Sequence, residues 1–204
     1  KEKNKNFVNS FYSLNSKVTG ESINSKINRL VAKIKSNNTE NIFVSSPENV
    51  AWLLNLRGRD NPNSPIPNCK IILTDKKKIY FFSYPKKINQ IKKNKQYKNL
   101  IFCTYKDFSK VIYKLKGKNF CIDNLTCSIS NESIISKSFR IKLKTDPCYM
   151  MKSIKNKIEI KHTRDAHFKD GLALTKFIFW IKNINQKKIT EIEAKNKLEK
   201  FRRL

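Results

Sequence analysis

Short β-rich runs alternate with helical patterns between residues 41 and 143. The predicted strands are residues 41–45, 70–74, 78–83, 100–104, 119–123 and 139–143, and the predicted helices lie at about residues 19–34, 47–58, 106–115 and 131–137. Strands that alternate with helices in this way bury a sheet between two layers of helices. The sequence therefore predicts a three-layer α/β domain.

The two ends of the chain have a different character. Residues 1–16 are polar with scattered aromatic residues, which is typical of a tail or a linker from a preceding domain. After Pro147 one long helical pattern covers residues 157–183, and a capping box of Thr190 with Glu193 then begins another helix. We expect one domain over residues 17–150 and the beginning of a second domain at residues 151–204.

The formal net charge of +28 comes mostly from lysine, spread along the chain together with asparagine and isoleucine. AT-rich codons produce this pattern without selection for a partner. Arginine is scarce and no recognition motif for bases is present, so we expect no specific nucleic acid, only weak salt-sensitive association with polyanions. The sequence has no apolar run long enough to span a membrane and no signal-peptide pattern, which predicts no membrane association and a cytoplasmic location.

The five cysteines are Cys69, Cys103, Cys121, Cys127 and Cys148. Their number is odd and no CxxC spacing occurs, which favours reduced thiols. Three of them lie in apolar runs, where a free cysteine acts as a small hydrophobic residue.

Residues 51–60 read AWLLNLRGRD. This segment resembles the AWLxNxRGxD motif of the larger Xaa-Pro aminopeptidases, which belong to the creatinase and methionine-aminopeptidase class. Residues 155–160 and 165–174 resemble the KNxxEI and AHxxDGxAL blocks with which the catalytic domain of that family begins. Residues 189–192, ITEI, match a third block at the expected distance.

The resemblance implies a creatinase N-terminal-like domain followed by the first helices of a truncated pita-bread catalytic domain. It also implies that the complete enzyme is a metallo-aminopeptidase that removes the N-terminal residue preceding proline. Its substrates would be peptides with proline at the second position. Its cofactors would be two divalent metal ions, typically manganese, and a homodimer is compatible with the complete enzyme.

The metal ligands of that family are two aspartates, a histidine and two glutamates, all downstream of the third block. The present sequence ends at Leu204, before any of them. Its two histidines, His162 and His167, are five residues apart on one predicted helix and would diverge, and no HExxH or GxSxG motif occurs. We therefore predict a fragment that contains no catalytic residue, binds no metal and is inactive alone.

Three residues are candidates for a position beside the substrate: Arg57, Asp60 and His167. Arg57 and Asp60 could line the rim of the neighbouring catalytic cleft, or they could bridge each other and hold the proline-rich loop at residues 60–68. His167 could contact substrate, or it could be a hydrogen-bonded histidine at the domain junction.

Two other functions stay open from the sequence. Creatinase-like folds also serve as binding modules without peptidase chemistry, and a basic nucleic-acid-binding protein is the third interpretation. An Asp, Asp, His, Glu, Glu series after Leu204 would distinguish the enzyme from the binding module.

Overall fold

The computed structural model describes residues 10–184 and 188–203. The chain divides into two compact units, Lys1–Ile154 and Lys155–Leu204. Each unit is described by itself. Within the described residues no helix combines the length and the apolarity that a membrane span requires.

The first unit contains eight strands and seven α-helices in its described part. The strands are β1 (Phe11–Ser13), β2 (Asn41–Val44), β3 (Leu56–Gly58), β4 (Lys70–Thr74), β5 (Ile79–Phe82), β6 (Leu100–Cys103), β7 (Asn119–Ile122) and β8 (Arg140–Leu143). The helices are α1 (Ser16–Thr19), α2 (Ile23–Ser36), α3 (Pro47–Leu53), α4 (Pro85–Ile91), α5 (Phe108–Lys114), α6 (Ile129–Ser136) and α7 (Pro147–Ser153).

Six strands form the central sheet in the order β6-β5-β4-β2-β7-β8, and β1 pairs with β3 in a separate two-stranded sheet. Strand β4 is antiparallel to both of its neighbours, whereas β2, β5, β6, β7 and β8 all run in one direction. The carboxyl ends of these five strands therefore lie along one edge of the sheet. Their amino ends lie along the opposite edge.

The two faces of the sheet bury separate cores because side chains alternate along a strand. In β2, Ile42 and Val44 join the core beneath α2, α3, α4 and α7, and Phe43 joins the core beneath α5 and α6. Strand β4 divides in the same way, with Ile72 on the second face. The predicted three-layer α/β fold is confirmed.

All six predicted strands of the central sheet are present, but three helical predictions need correction. The helix that begins at Pro47 ends at Leu53, not near Gly58, because Asn55 adopts a left-handed conformation (φ 49°) and the chain continues into β3. Helices α4 and α7 were not predicted from the sequence. Both begin with a proline at the first helical position.

Strand β1 lies in the segment that the sequence predicted as a tail. It pairs with the motif strand β3, so that Phe11 is opposite Gly58 and Tyr12 is opposite Arg57. Phe11 is also buried in the first core. Residues 11–13 are therefore part of the first unit, and residues 1–9 of the predicted tail lie outside the described residues.

The second unit contains α8 (Lys157–Lys182) and α9 (Glu191–Arg202). Each begins with a capping box, Asn156 with Glu159 and Thr190 with Glu193. The apolar stripe of α8 is mostly exposed, because Phe168 is 78% exposed and Phe179 is 71% exposed.

The five cysteines are free thiols, as predicted.

Candidate functional site

The motif at residues 51–60 joins the last turn of α3 to β3 and to the proline-rich loop. Asn55 makes the turn between them. Its left-handed backbone is tolerated by asparagine better than by most residues, and its side-chain amide donates to the Glu21 carbonyl at 3.0 Å. The Asn55 side chain therefore fixes the motif to the segment before α2.

A buried lysine from α2 completes this turn. Lys26 is only 1% exposed, and its ammonium donates to the Trp52 carbonyl at 2.8 Å and to Asn55 Oδ1 at 2.7 Å. The same ammonium lies 4.4 Å from the centre of the Trp52 ring, where the face of an indole attracts a cation. Trp52 and Asn55 thus solvate a charge that water cannot reach.

Arg57 points its guanidinium toward backbone oxygens. Its Nη1 donates to the Ala51 carbonyl and to the Leu56 carbonyl, each at 2.9 Å. The first of these carbonyls lies in the last turn of α3, whose final carbonyls have no partner within the helix. These two contacts hold α3 against β3.

Gly58 leaves no space for a side chain. A Cβ atom at this position would lie 2.7 Å from the Pro67 Cα and 3.2 Å from the Phe11 ring. The Gly58 amide donates to the Pro65 carbonyl at 3.1 Å. The glycine therefore permits the proline-rich loop to pack directly on β3.

Asp60 forms a buried ion pair with Lys87 of α4, and the two side chains are 5% and 8% exposed. Its second oxygen accepts from the Asn68 amide at 2.6 Å. Asp60 thus closes the proline-rich loop, as one interpretation predicted. The predicted bridge between Arg57 and Asp60 is wrong, because Lys87 occupies the position that Arg57 was expected to take.

Lys87 was not identified from the sequence, although a signal for its helix exists. Pro85 begins α4, and the buried Ile88 and Ile91 follow at helical spacing. Lys87 also lies 5.2 Å from the Phe11 ring and 5.9 Å from the Tyr84 ring. Lys87 therefore links the two-stranded sheet, the loop and α4.

The thiol nearest this ion pair is not activated. Cys69 is buried, burial raises its pKa well above the ordinary value, and Asp60 raises that pKa further while Lys87 lowers it. Nucleophilic cysteines need the opposite environment, one that lowers the thiol pKa. Cys69 therefore acts as a core residue here.

His167 is part of α8 in the second unit. Its side chain is exposed, and it has no hydrogen-bond partner within residues 10–184 and 188–203. His162 is exposed on the same helix. The structure therefore does not bring His167 into a cluster with other candidate residues of the second unit.

A second buried polar cluster lies where β7 and β8 end. Asp146 accepts from the Asn49 amide at 2.7 Å and from the Cys148 amide at 2.8 Å, and its own amide donates to Asp123 at 2.8 Å. Lys152 donates to Asn49 Oδ1 at 2.7 Å. Burial raises the pKa of Asp146. This cluster attaches α7 to α3 and to the end of β7.

The described residues do not fit a metal centre. No group of three or more histidine, cysteine, aspartate or glutamate side chains is arranged to hold an ion in this part of the chain. The carboxylates Asp60, Asp123 and Asp146 are instead occupied by Lys87 and by backbone or amide donors. These residues bind parts of the fold to one another.

The family model of the creatinase/prolidase N-terminal domain matches residues 2–159. The chain belongs to this family. Among curated relatives, Xaa-Pro aminopeptidase 1 of Dictyostelium discoideum is 28% identical over 202 residues, an alignment that covers 96% of the chain and 32% of the relative. A protein named probable Xaa-Pro aminopeptidase P in Aspergillus fumigatus is 28% identical over 204 residues, an alignment that covers 91% of the chain and 30% of that protein.

Solved structures show the same creatinase-type fold. The X-prolyl aminopeptidase of Caenorhabditis elegans, described as a cytosolic enzyme with a di-nuclear active site, superposes with a TM-score of 0.83 at 23% identity, over 96% of the chain and 33% of that protein. The prolidase of Pyrococcus horikoshii OT3 superposes with a TM-score of 0.64 at 18% identity, over 88% of the chain and 48% of that protein. The chain spans about a third of the length of its curated relatives.

Proposed function

We propose that this chain is the creatinase-like domain and the first two catalytic-domain helices of an Xaa-Pro aminopeptidase, which removes an N-terminal residue that precedes proline. The supporting observation is that a curated relative of this name aligns over 96% of the chain, beyond residue 159 where the family domain ends. The proposed domains are those expected from the sequence, residues 17–150 and 151–204, whereas the compact units include β1 in the first unit and divide after α7, between Ile154 and Lys155. The relative with a cytosolic description supports a cytoplasmic location.

The chemistry of such an enzyme would lie outside the described residues. Two divalent ions, manganese by resemblance, would polarise the peptide carbonyl and supply a hydroxide nucleophile when bound. Residues 10–184 and 188–203 do not form a site for these ions, and by the resemblance the ligands of the family follow the third block. The role of the present chain would be to position that catalytic part and to limit access to it.

The proposal is tested with the complete polypeptide and with the 204-residue chain side by side. We expect the complete polypeptide with manganese to release arginine from Arg-Pro-Pro but not from Arg-Ala-Pro, and a chelator to abolish this release. The 204-residue chain should release none. Turnover by the 204-residue chain would contradict the prediction that this chain is inactive alone. A complete polypeptide that binds the peptide without turnover would identify a binding module.

Within this function we assign Arg57 to the scaffold, because its guanidinium donates to two backbone carbonyls of the same unit. In the complete enzyme, Arg57→Lys should lower the melting temperature, since a lysine ammonium does not place its donors where the planar guanidinium places those of Nη1. Turnover well below the melting temperature should change by less than about tenfold, or about 1.4 kcal/mol. Native melting with strongly impaired kcat/KM would instead place Arg57 against the substrate.

A further inference from the structure

The amino-terminal edge of the central sheet carries positive charge from the segments that precede β5, β6, β7 and β8. The turn between β4 and β5 and the loops before β6, β7 and β8 all reach this edge, because β4 runs opposite to the other strands. The exposed cations there are Lys76, Lys77, Lys78, Lys95, Lys98, Lys116, Lys118, Lys137 and Arg140. These residues define what we call the basic edge.

Carboxylates are concentrated at the opposite edge. Asp107, Asp123 and Asp146 follow β6, β7 and β8, and Asp60 precedes β4. The basic edge itself has two carboxylates: Glu40 accepts from the Asn119 backbone amide at 2.8 Å and is engaged with the fold, and Asp75 lies in the turn between β4 and β5. Within the described residues, no lysine or arginine of the basic edge forms an ion pair. A codon bias toward lysine explains many cations but not this separation.

We propose that the basic edge binds the phosphate backbone of nucleic acid without reading its sequence. Six strands spaced by about 4.8 Å give an edge about 24 Å long, over which one strand of a duplex presents about seven phosphates. The charges are nearly all lysine, which contacts phosphate as a point charge and does not make the bidentate base contacts of arginine. Tyr113, 62% exposed in the last turn of α5, adds an aromatic surface beside this edge.

An anionic membrane is the less suitable partner. Binding at a membrane surface combines positive charge with exposed apolar side chains that enter the lipid. In the first unit Leu125, Ile129 and Leu143 are 83%, 85% and 56% exposed, but they lie where β7 and β8 end, at the opposite edge. Leu125, Ile129 and Leu143 are therefore separated from the basic edge by the length of the strands.

The experiment compares two variants with the same change in net charge. Lys116→Gln/Lys118→Gln removes two charges from the basic edge, and Lys86→Gln/Lys106→Gln removes two exposed charges near the opposite edge. Binding of a short fluorescent duplex of mixed sequence is measured by anisotropy at several salt concentrations. Equal melting curves confirm that both variants are folded.

We expect the basic-edge variant to reduce the slope of log K against log salt by about 2, which is about 1 for each lysine that contacts phosphate. The control variant should keep the slope of the unmodified chain. Equal reductions in both variants would show that the charge acts diffusely and would overturn the proposal. It would also be overturned if the basic-edge variant lost binding to phosphatidylserine vesicles and kept its duplex binding.

Discussion

The motif glycine and the helix glycine have opposite surroundings, and a pair of substitutions tests this difference. A Cβ atom at Gly58 would lie 2.7 Å from the Pro67 backbone, whereas a Cβ atom at Gly171 would meet nothing within 4 Å. We expect Gly58→Ala to reduce the free energy of unfolding by about 1–3 kcal/mol, because the loop must move away from β3. Gly171→Ala should increase the helicity of α8, because alanine stabilises a helix by up to about 1 kcal/mol relative to glycine. Urea unfolding and circular dichroism measure both effects.

Lys87 is the residue whose removal should destabilise the first unit most directly. Lys87→Met leaves Asp60 buried without its cation, and loss of one partner of a buried ion pair costs about 3–5 kcal/mol. The control is Lys86→Met, which changes the exposed neighbour on the same helix and should alter stability by less than about 0.5 kcal/mol. If the two variants unfolded at the same denaturant concentration, the ion pair would have no stabilising role.

At the scale of elements, α7 is attached through a carboxylate whose pKa gives a testable pH dependence. Burial raises the pKa of Asp146 above 3.8, so the folded state holds this proton more tightly than the unfolded chain does. The stabilising effect of protonation is complete when the pH is below the pKa of Asp146 in the unfolded chain. It is lost as the pH rises through the pKa of Asp146 in the folded state. Relative to Asp146→Asn, the unmodified chain should therefore gain stability as the pH is lowered toward 3.8.

Asp107 provides the control of opposite sign. Hydrogen bonds from the Thr104 hydroxyl and amide lower the pKa of Asp107 in the folded state. The contribution of Asp107 to stability is therefore present above its pKa in the unfolded chain and is lost as the pH falls through its pKa in the folded state. Relative to Asp107→Asn, the unmodified chain should lose stability over the same acid range. Unfolding free energies of the three proteins, measured at a series of pH values, give both differences. Parallel pH profiles for the two substitutions would contradict the assignment.

Sequence patterns predicted the helices and strands whose structure is determined by residues within the element itself. The strands β2, β4 and β5 are short runs of β-branched and aromatic residues, and α9 begins with a capping box of Thr190 and Glu193. Helix α3 was predicted too long because apolar spacing continues through Leu56, and only the left-handed turn at Asn55 ends it. Apolar periodicity cannot report a backbone turn that is stabilised by a distant side chain.

In the candidate site, too, residues within one segment were identified from the sequence, and contacts between distant segments were not. The motif resemblance selected Arg57 and Asp60, but it did not indicate the two lysines that contact the motif. Lys87 is 27 residues from Asp60 in sequence, and Lys26 is 29 residues from Asn55. Lysine is abundant throughout the chain, so composition cannot identify the two that are buried. Only the packing of α2 and α4 against the motif brings these cations to it.

At the scale of the whole chain, the two units differ in how their apolar residues are covered. Both core clusters contain residues of the first unit only, while Phe168 and Phe179 of α8 are largely exposed. We therefore expect residues 1–154, expressed alone, to melt cooperatively at the temperature of the complete 204-residue chain. The core clusters need no side chain from α8 or α9 to be filled.

Hydrogen exchange distinguishes the units within the intact 204-residue chain. Amides of β2, β4 and β7 should exchange only through global opening, because these strands lie inside the sheet and are covered on both faces. Amides of α8 and α9 should exchange faster, because a helix pair with an exposed apolar stripe gains little from packing. Uniform protection through residue 203, or loss of cooperative melting in residues 1–154, would show that the first unit depends on the second for its stability.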